Sequence, residues 1–479
     1  PREAAHEEVH GVWSGDAATM EWNAEDTIAA IATPPGEGGV GIVRLSGPQS
    51  FAIAAEIFVS SRGRDIRTTR QRVYHGCIVD AAAQPIDEVL LHVMRAPHSY
   101  TREDVVEINA HGGPVVLNAV LEEALRHGAR LARPGEFTLR AFLNGRIDLV
   151  QAESVIDQIR ARTRAGLQAA NAAASGALSK AIYAVRDTLR EALAHIEAAV
   201  DFPEEDLPEL VNEALFMRLR EAQRQVRELI NTADAGRLVR EGAVAVIAGR
   251  PNVGKSSLFN ALLRDARAIV SAQPGTTRDR LEEYITIAGV PVRLIDTAGI
   301  RESGDEVERI GVEIARQALD SANLALLVFD ATRAPAPEEA QIVGELRDRE
   351  IPVVLVINKT DCVTGVPENP WPQTPFAAVC AVSATHGTGI KELETAIAGI
   401  LLGGAGIDAA QPMITRQHQK HSLRRAEESL QRLFDAVGAS PEFLALELRD
   451  ALGALGEITG ETTPEDILDA IFANFCIGK

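Results

Sequence analysis

Cysteine, aromatic residues and positive charge are all scarce in this sequence. Among 479 residues there are 4 cysteines, aromatic residues make up 4%, and 68 acidic side chains outnumber 48 basic ones, for a net charge of −20. The cysteines are widely spaced and form no Cys-x-x-Cys pair, which excludes a zinc site or a redox couple of that type. The excess of negative charge excludes general, charge-driven binding to nucleic acid, so any such contact must be local.

Long hydrophobic runs are also missing. No stretch approaches the roughly eighteen uninterrupted apolar residues of a membrane-spanning helix. Residues 1–25 lack the basic-then-apolar layout of a signal peptide, so we expect a cytoplasmic protein with no membrane partner. We also expect residues 1–25 to be a disordered extension and Met20 to be the natural start. Cys362 and Cys380 lie in or beside apolar runs and are expected to be buried.

The chain is too long for a single hydrophobic core, and its patterns change along the sequence. Residues 26–146 read as short strands and helices around glycine-rich turns, which predicts a compact α+β domain. Residues 147–241 and 403–479 have helical periodicity, whereas residues 242–402 alternate buried strands with helices. We therefore predict a multidomain α/β and α+β fold, in which an α/β nucleotide domain is inserted into an all-α domain made of two segments.

A glycine-rich loop dominates the middle of the chain. Gly249–Ser256 reads Gly-Arg-Pro-Asn-Val-Gly-Lys-Ser, follows the apolar run Ala243–Ala248 and precedes a helical stretch. Strand, loop and helix in this order are the context that a P-loop requires, and the backbone N–H groups of a P-loop surround phosphate at a helix N-terminus. Lys255 would reach the β- and γ-phosphates and the Ser256 hydroxyl would hold Mg²⁺.

Further motifs follow in the order found in GTPases. Asp296 ends an apolar strand, where it would hold Mg²⁺ through water, and Asp361 ends Asn-Lys-Thr-Asp, whose carboxylate can accept both N–H donors of a guanine edge. Together the motifs favour GTP over ATP. The predicted GTP-binding residues are Asn252, Val253, Gly254, Lys255, Ser256, Ser257, Ser271, Ala272, Gln273, Pro274, Gly275, Thr276, Thr277, Asp296, Thr297, Ala298, Gly299, Asn358, Lys359, Thr360, Asp361, Ser383, Ala384 and Thr385.

The group that orients the attacking water is less obvious. Ile300 stands where Ras-type GTPases carry glutamine, and a nearby acidic stretch that includes Glu308 could supply a carboxylate instead. Each of these carboxylates could equally belong to a solvated loop. Asn252 offers a neutral oxygen beside the phosphates, which suits a monovalent cation, although asparagine at this position can also simply cap a turn.

The sequence resembles the bacterial tRNA-modification GTPases of the MnmE (TrmE) family from about Asp26 to Lys479. Its glycine-rich loop, its GTPase motifs and its tail all carry the resemblance. The matching segments are Ala32–Arg44, His111–Pro114, Arg133–Phe137, Gly249–Ser257, Gly275–Asp279, Asp296–Gly299, Asp305–Gly311 and Phe475–Lys479.

This resemblance implies an N-terminal domain that binds 5-formyltetrahydrofolate and forms a homodimer. It also implies K⁺-dependent GTP hydrolysis and, in a heterotetramer with the flavoprotein MnmG, modification of C5 of the wobble uridine of certain tRNAs. By position, Mg²⁺ would be held by Ser256 and Thr277, and K⁺ by Asn252, Ser271, Gln273 and Thr276. Glu308 would orient water, Lys255 would act on the phosphates and Cys476 would be the functional tail cysteine. Folate would contact Arg44, Glu107, Arg146 and Lys479.

Other readings remain open at this point. A ribosome-assembly or other RNA-binding GTPase would share the nucleotide domain, a folate-dependent one-carbon enzyme would share the N-terminal half, and a membrane-remodelling GTPase would need a lipid-binding surface. The recurrence of Arg416, Lys420, Arg424 and Arg425 at near-helical spacing fits either a local tRNA contact or a solvated helix face.

Overall fold

The computed structural model describes residues 26–68, 71–201, 212–265, 282–296, 320–365, 368–404, 406, 408–436 and 440–479. The predicted extension 1–25 lies outside the described residues, as do residues 266–281 and 297–319 of the predicted nucleotide domain. The chain divides into two compact units. Unit 1 contains Pro1–Asp148 with Thr463–Lys479, and unit 2 contains Leu149–Thr462.

Unit 1 is built on a sheet that has seven strands in the described part of the chain. The strands are β1 (Ile28–Ile31), β2 (Gly38–Ser46), β3 (Phe58–Ser60), β4 (Gln71–Val79), β5 (Pro85–Met94), β6 (Val105–Gly112) and β7 (Arg130–Leu131). Their order in the sheet is β3-β4-β5-β6-β2-β1-β7. Neighbouring strands are antiparallel, except for the parallel pair β1 and β7.

Helices cover one face of this sheet and complete the core of unit 1. Ser50–Ile57 and Pro114–Arg126 pack their apolar sides on strand residues such as Leu45, Leu91 and Ile108. Pro114 occupies the first helical turn, where the missing N–H costs no hydrogen bond. A third helix, Glu136–Leu143, begins after Gly135.

The C-terminal tail belongs to unit 1. Its helix Glu465–Phe472 is followed by Phe475, and Phe472 is buried against Phe142 and Phe475. The predicted helical segment 403–479 is therefore divided in the structure, because the apolar side of this last helix packs on the N-terminal part of the chain and not on the preceding helices.

The helical part of unit 2 comes from both sides of the nucleotide segment. Its apolar stripes meet in one core, which contains Ile182, Leu219, Leu423 and Leu455. This arrangement follows from amphipathic helices that can bury their apolar faces only against one another. The helices are Leu149–Arg160, Arg164–Ala174, Ala177–Asp201, Glu213–Asn231, Ala233–Glu241, Gln417–Asp435 and Pro441–Thr459.

The rest of unit 2 is an α/β fold around a sheet of six strands among the described residues. The strands are β8 (Ala243–Ala248), β9 (Glu282–Ile287), β10 (Val290–Asp296), β11 (Leu324–Asp330), β12 (Val353–Asn358) and β13 (Ala378–Ala381), and the helices in the described part are Lys255–Asp265, Pro337–Arg347 and Ile390–Leu402. The order of the strands in the sheet is β13-β12-β11-β8-β10-β9, and all neighbours are parallel except the hairpin of β9 and β10.

The predicted fold class is therefore confirmed, with an α+β region, a helical region and an α/β region. The strands β8, β11 and β12 are buried almost throughout, as expected for a parallel sheet covered on both faces. Their carboxyl ends carry Gly249, Asp330 and Asn358, so two of the predicted motifs, which contain Gly249 and Asn358, meet at one edge of the sheet. In the described part of the chain, no helix is long and apolar enough to cross a membrane.

Candidate functional site

The glycine-rich loop connects β8 to the helix Lys255–Asp265, as the sequence predicts. Its two glycines have positive φ angles, 144° at Gly249 and 99° at Gly254. A Cβ on Gly249 would lie 2.5 Å from the Val328 carbonyl oxygen, and a Cβ on Gly254 would collide with the Asn358 amide. Both positions therefore require glycine, because the loop backbone approaches the neighbouring strand ends too closely for a side chain.

Lys255 is the first residue of this helix and is buried. Its Nζ donates hydrogen bonds to the carbonyl oxygens of Gly249 and Arg250, each at 2.8 Å. The ammonium group thus lies in the concave side of its own loop, at a helix N-terminus. An anion bound at this point would meet the ammonium charge and the helix dipole together.

A hydroxyl and a carboxylate meet next to Lys255. Ser256 Oγ donates to Asp296 Oδ2 at 3.0 Å, and Asp296 is buried at the end of β10. Hard oxygen donors of this kind fit Mg²⁺. In the described ranges, no group of three His, Cys, Asp or Glu residues is arranged so that it could hold a metal ion by itself, so further ligands would come from phosphate, from water or from Thr277, which lies outside these ranges.

Asn358 joins three of the predicted segments. It is 2% exposed, its Nδ2 donates to the Val253 carbonyl at 3.0 Å, and its Oδ1 accepts from the Ala384 N–H at 3.1 Å. The Asn358 side chain, at the end of β12, thus holds both the P-loop and the segment Ser383–Thr385. Losing either bond would leave a buried polar group without its partner, which is costly.

The Asp361 carboxylate faces hydroxyl and thiol donors. Ser383 Oγ donates to Oδ1 at 2.6 Å and Cys362 Sγ donates to Oδ2 at 3.2 Å. The Ser383 hydrogen bond, with the weaker one from Cys362, lowers the pKa of Asp361, and the carboxylate in turn raises the pKa of the Cys362 thiol. A charged acceptor is what recognition of guanine requires.

The expectation for the two cysteines is half right. Cys380 is buried in β13, but Cys362 is exposed. Cys362 lies in the short 3₁₀ turn Thr360–Cys362, outside the sheet, so the neighbouring apolar run does not bury it.

The remaining predicted nucleotide residues divide into two groups. Asn252 is exposed in the P-loop, Ser257 lies on the following helix, and Thr385 is near Ser383 with 3.2 Å between their hydroxyl oxygens. The others lie outside the described residues, and they are Ser271, Ala272, Gln273, Pro274, Gly275, Thr276, Thr277, Thr297, Ala298, Gly299 and Glu308.

A second cluster lies in unit 1 around Arg44 on β2. Arg44 Nε donates to Glu107 Oε1 at 2.8 Å across the β2–β6 pair, and its Nη1 donates to the Gly478 carbonyl at 3.1 Å. The Arg44 guanidinium also lies over the rings of Tyr100 and Phe137, 5.8 and 5.5 Å from their centres. Arg44 therefore fastens the end of the tail to the sheet.

The other two predicted folate residues join this cluster. Arg146 lies over the Tyr100 ring at 4.8 Å and donates to the Tyr100 carbonyl at 3.1 Å. Burial and the positive charge of Arg44 lower the pKa of the Lys479 ammonium, while Glu107 acts in the opposite sense. The structure thus brings Arg44, Glu107, Arg146 and Lys479 together. Tyr100, which the sequence reasoning missed, stands between two of them.

The tail is held closely at this cluster. Gly478 has φ of 90°, and a Cβ at this position would collide with the Ile31 carbonyl. The Cys476 carbonyl accepts from Gly135 N–H at 3.4 Å, while the Cys476 side chain is exposed. The thiol is thus accessible next to a cluster of charged and aromatic groups.

Acidic side chains neutralise most of the predicted tRNA-contact residues, which lie on the helix Gln417–Asp435 or, for Arg416, directly before it. Arg416 pairs with Asp157 at 2.9 Å, Lys420 with Asp234 at 2.7 Å, and Arg425 with Glu457 at 2.7 Å. Three of the four residues considered for tRNA contact thus already have acidic partners within unit 2, which favours the interpretation as a helix surface.

Comparison with known proteins decides the family. A family model described as "MnmE helical domain" matches residues 149–476, and one described as "GTP-binding protein TrmE N-terminus" matches residues 27–146. The chain belongs to the MnmE family of tRNA modification GTPases. This confirms the resemblance inferred from the sequence motifs.

Individual relatives cover nearly the whole chain. The tRNA modification GTPase MnmE of Chloroflexus aurantiacus is 52% identical over 457 residues, which are 95% of this chain and 100% of the relative. The proteins of the same name from Heliobacterium modesticaldum and Geobacter sulfurreducens are 47% and 48% identical, each over 95% of this chain and 99% of the relative.

Proposed function

We propose that the chain hydrolyses GTP at the edge of the unit 2 sheet as part of tRNA wobble-uridine modification. The observation that carries this proposal is the Asn358 side chain, which ties the P-loop to the segment behind the predicted guanine site. Asp361 would accept the guanine N–H donors, Lys255 would contact the phosphates, and Mg²⁺ would lie at Ser256 and Asp296 with Thr277. Mg²⁺ supplies electrostatic stabilisation of the charge that develops on the phosphate oxygens.

We further propose that K⁺ activates this hydrolysis. Asn252 offers a neutral side-chain oxygen within the P-loop, and Ser271, Gln273 and Thr276 would complete the cation site. Glu308 would orient the attacking water, since Ile300 has no group that could do so. Asn252 is exposed at this point of the loop, and its left-handed backbone, with φ of 65°, is one that asparagine adopts more readily than most residues.

For unit 1 we propose binding of a tetrahydrofolate one-carbon donor such as 5-formyltetrahydrofolate. Arg44, Arg146 and Lys479 supply positive charge for an anionic ligand, and Tyr100 supplies an aromatic surface. The Cys476 thiol would take part in the reaction at this folate site. Residues 26–146 would also form the homodimer, and a flavoprotein of the MnmG type would be the partner in the reaction on tRNA.

The K⁺ proposal is tested by GTP hydrolysis in KCl and NaCl at equal ionic strength. We expect faster hydrolysis in K⁺, and a loss of the difference in Asn252→Ala with GTP binding largely retained. Equal rates in the two salts would remove the K⁺ proposal and leave the GTPase assignment untouched.

The folate proposal is tested by the release of folate from the purified full-length chain. We expect folate to co-purify or to bind stoichiometrically when added, and Arg44→Ala to lose it. A chain that binds GTP but no folate would favour another RNA-directed role for the GTPase.

A further inference from the structure

Asp330 is a buried acidic residue that none of the nucleotide-binding motifs includes. It ends β11 and is 2% exposed. Both carboxylate oxygens are occupied. Oδ1 accepts from Thr332 N–H at 3.0 Å and from Thr332 Oγ1 at 2.7 Å, and Oδ2 accepts from Lys359 Nζ at 2.6 Å. An aspartate that merely starts a turn would need only the contacts with Thr332.

Lys359 connects this carboxylate to the P-loop. The same Nζ donates to the Asn252 carbonyl at 3.0 Å. Both Lys359 and Asn252 have φ of 65°, a left-handed conformation that is rare for lysine and commoner for asparagine. One ammonium group thus bridges two constrained backbone positions, one in the P-loop and one in the motif for the base. Strained positions of this kind persist only where surrounding contacts hold them.

Charge explains why Asp330 matters for this bridge. A lysine has a flexible stem, and a single carbonyl acceptor would not hold its ammonium in one place. Burial tends to raise the pKa of Asp330, but the hydrogen bonds from Lys359 and Thr332 outweigh it and the pKa lies below its ordinary value. The carboxylate is therefore charged at neutral pH and supplies a fixed partner for Lys359.

The bridge lies beside a second one. Asn358 holds Val253, and Lys359 holds the adjacent Asn252, so two consecutive residues of β12 and the following turn grip two consecutive residues of the P-loop. Asn358 is part of the predicted motif and needs no further support, since both of its polar atoms are bonded within the site. Lys359, in contrast, depends on Asp330 as the charged partner that holds its ammonium group in place.

We propose that Asp330 is a positioning residue for guanine-nucleotide binding, because it holds Lys359 against the Asn252 carbonyl and so fixes the P-loop relative to the base-recognition motif. The inference rests on the proposed GTP site. Asp330 would touch no part of the nucleotide and would act only through Lys359.

The test is a double-mutant cycle on the affinity of the full-length chain for N-methylanthraniloyl-GDP, measured by fluorescence titration. Asp330→Asn keeps the shape and removes the charge, and we expect binding about tenfold to a hundredfold weaker, the range for loss of a hydrogen bond to a charged group. Lys359→Met should weaken binding as well. In Lys359→Met, the added Asp330→Asn should cause little further loss, because both changes act through one ammonium group.

Asn323→Ala is the matched control. Asn323 precedes the opposite end of the same strand, where its Oδ1 accepts from the Val244 N–H at 2.9 Å. We expect this variant to lower the thermal stability of the chain without changing its affinity for the nucleotide. Thr332→Val, which removes one donor to Asp330 and keeps the ion pair with Lys359, is the milder variant if Asp330→Asn does not fold, and it should give a smaller loss that also disappears in Lys359→Met.

Three results would count against the inference. Wild-type affinity in Asp330→Asn, or losses that simply add in the double variant, would overturn it while leaving the GTP site intact. An equal loss of affinity in Asn323→Ala would show that Asp330 acts through stability alone. Failure of the unmodified chain to bind the labelled GDP would instead overturn the proposed function, and this inference with it.

Discussion

The nucleotide site of unit 2 and the Arg44 cluster of unit 1 are assembled in different ways. The nucleotide site lies where neighbouring parallel strands end, and each of its motifs directly follows one of these strands along the chain. The Arg44 cluster joins a strand near the start of the chain to its last residues, and the Arg44 to Gly478 hydrogen bond spans 434 positions. Local spacing can therefore predict the first site, whereas nothing local connects the parts of the second.

The largest expected effect is on the nucleotide site alone. Lys255→Ala removes the ammonium that lies within the P-loop, so we expect GTP hydrolysis to fall at least about a hundredfold, as for loss of one preorganised charge-stabilising donor. Single-turnover hydrolysis measures this. Folate binding by the same variant should be unchanged. A parallel loss of folate binding would show that the two sites are not independent.

Base recognition should give the next largest effect. Asp361→Asn replaces the charged acceptor, and the lost charge-assisted hydrogen bond costs about 1.5–3 kcal/mol of GTP affinity, with a shift in preference towards xanthosine triphosphate. Competition titrations with GTP, ATP and xanthosine triphosphate measure it. If the unmodified chain bound GTP and ATP equally well, Asp361 would not be the acceptor for the base.

The next prediction concerns folate binding at the Arg44 cluster. Arg44→Ala removes the partner of Glu107 and of the Gly478 carbonyl, and we expect folate affinity to fall about tenfold or more, because a charge-assisted contact is lost. Isothermal titration with 5-formyltetrahydrofolate measures it, with GTP hydrolysis as the control that should stay constant. Unchanged folate affinity would remove Arg44 from the ligand site and leave it as an anchor for the tail.

The smallest effect concerns a pH-dependent contact elsewhere in unit 1. His111 Nδ1 is 2.7 Å from Asp87 Oδ1, and this hydrogen bond raises the pKa of His111 above its ordinary value of 6.5. The pair contributes fully to stability below pH 6.5, and its contribution is lost as the pH rises through the raised pKa. NMR titration of His111 should show a midpoint that falls towards 6.5 in Asp87→Asn. An identical midpoint in both proteins would contradict the assignment.

Prediction from the sequence succeeded where a motif and a strand end coincide. Gly249, Lys255, Asp296 and Asn358 all lie where the alternation of strands and helices placed them. The sequence alone does not distinguish Asp330, because a lone aspartate at the end of an apolar run resembles a turn residue. The role of Asp330 depends on Lys359, which follows the neighbouring strand β12.

In unit 1 the sequence predicted less by itself. The four folate residues were inferred from family resemblance, and no periodicity connects them. The helix Glu465–Phe472 has an apolar side like those of the preceding helices, so its pattern does not say which core it joins. Tyr100 belongs to no motif, and only the fold shows that it lies between Arg44 and Arg146.

We infer that one chain needs both a GTP site and the Arg44 cluster for tRNA modification. The most direct measurement is the amount of modified wobble uridine in tRNA from cells that lack their own MnmE-family GTPase and carry this chain or a variant at equal protein levels. We expect modification with the unmodified chain and its loss with either Lys255→Ala or Arg44→Ala, although each variant retains the other activity in vitro. Full modification with either variant would contradict the claim.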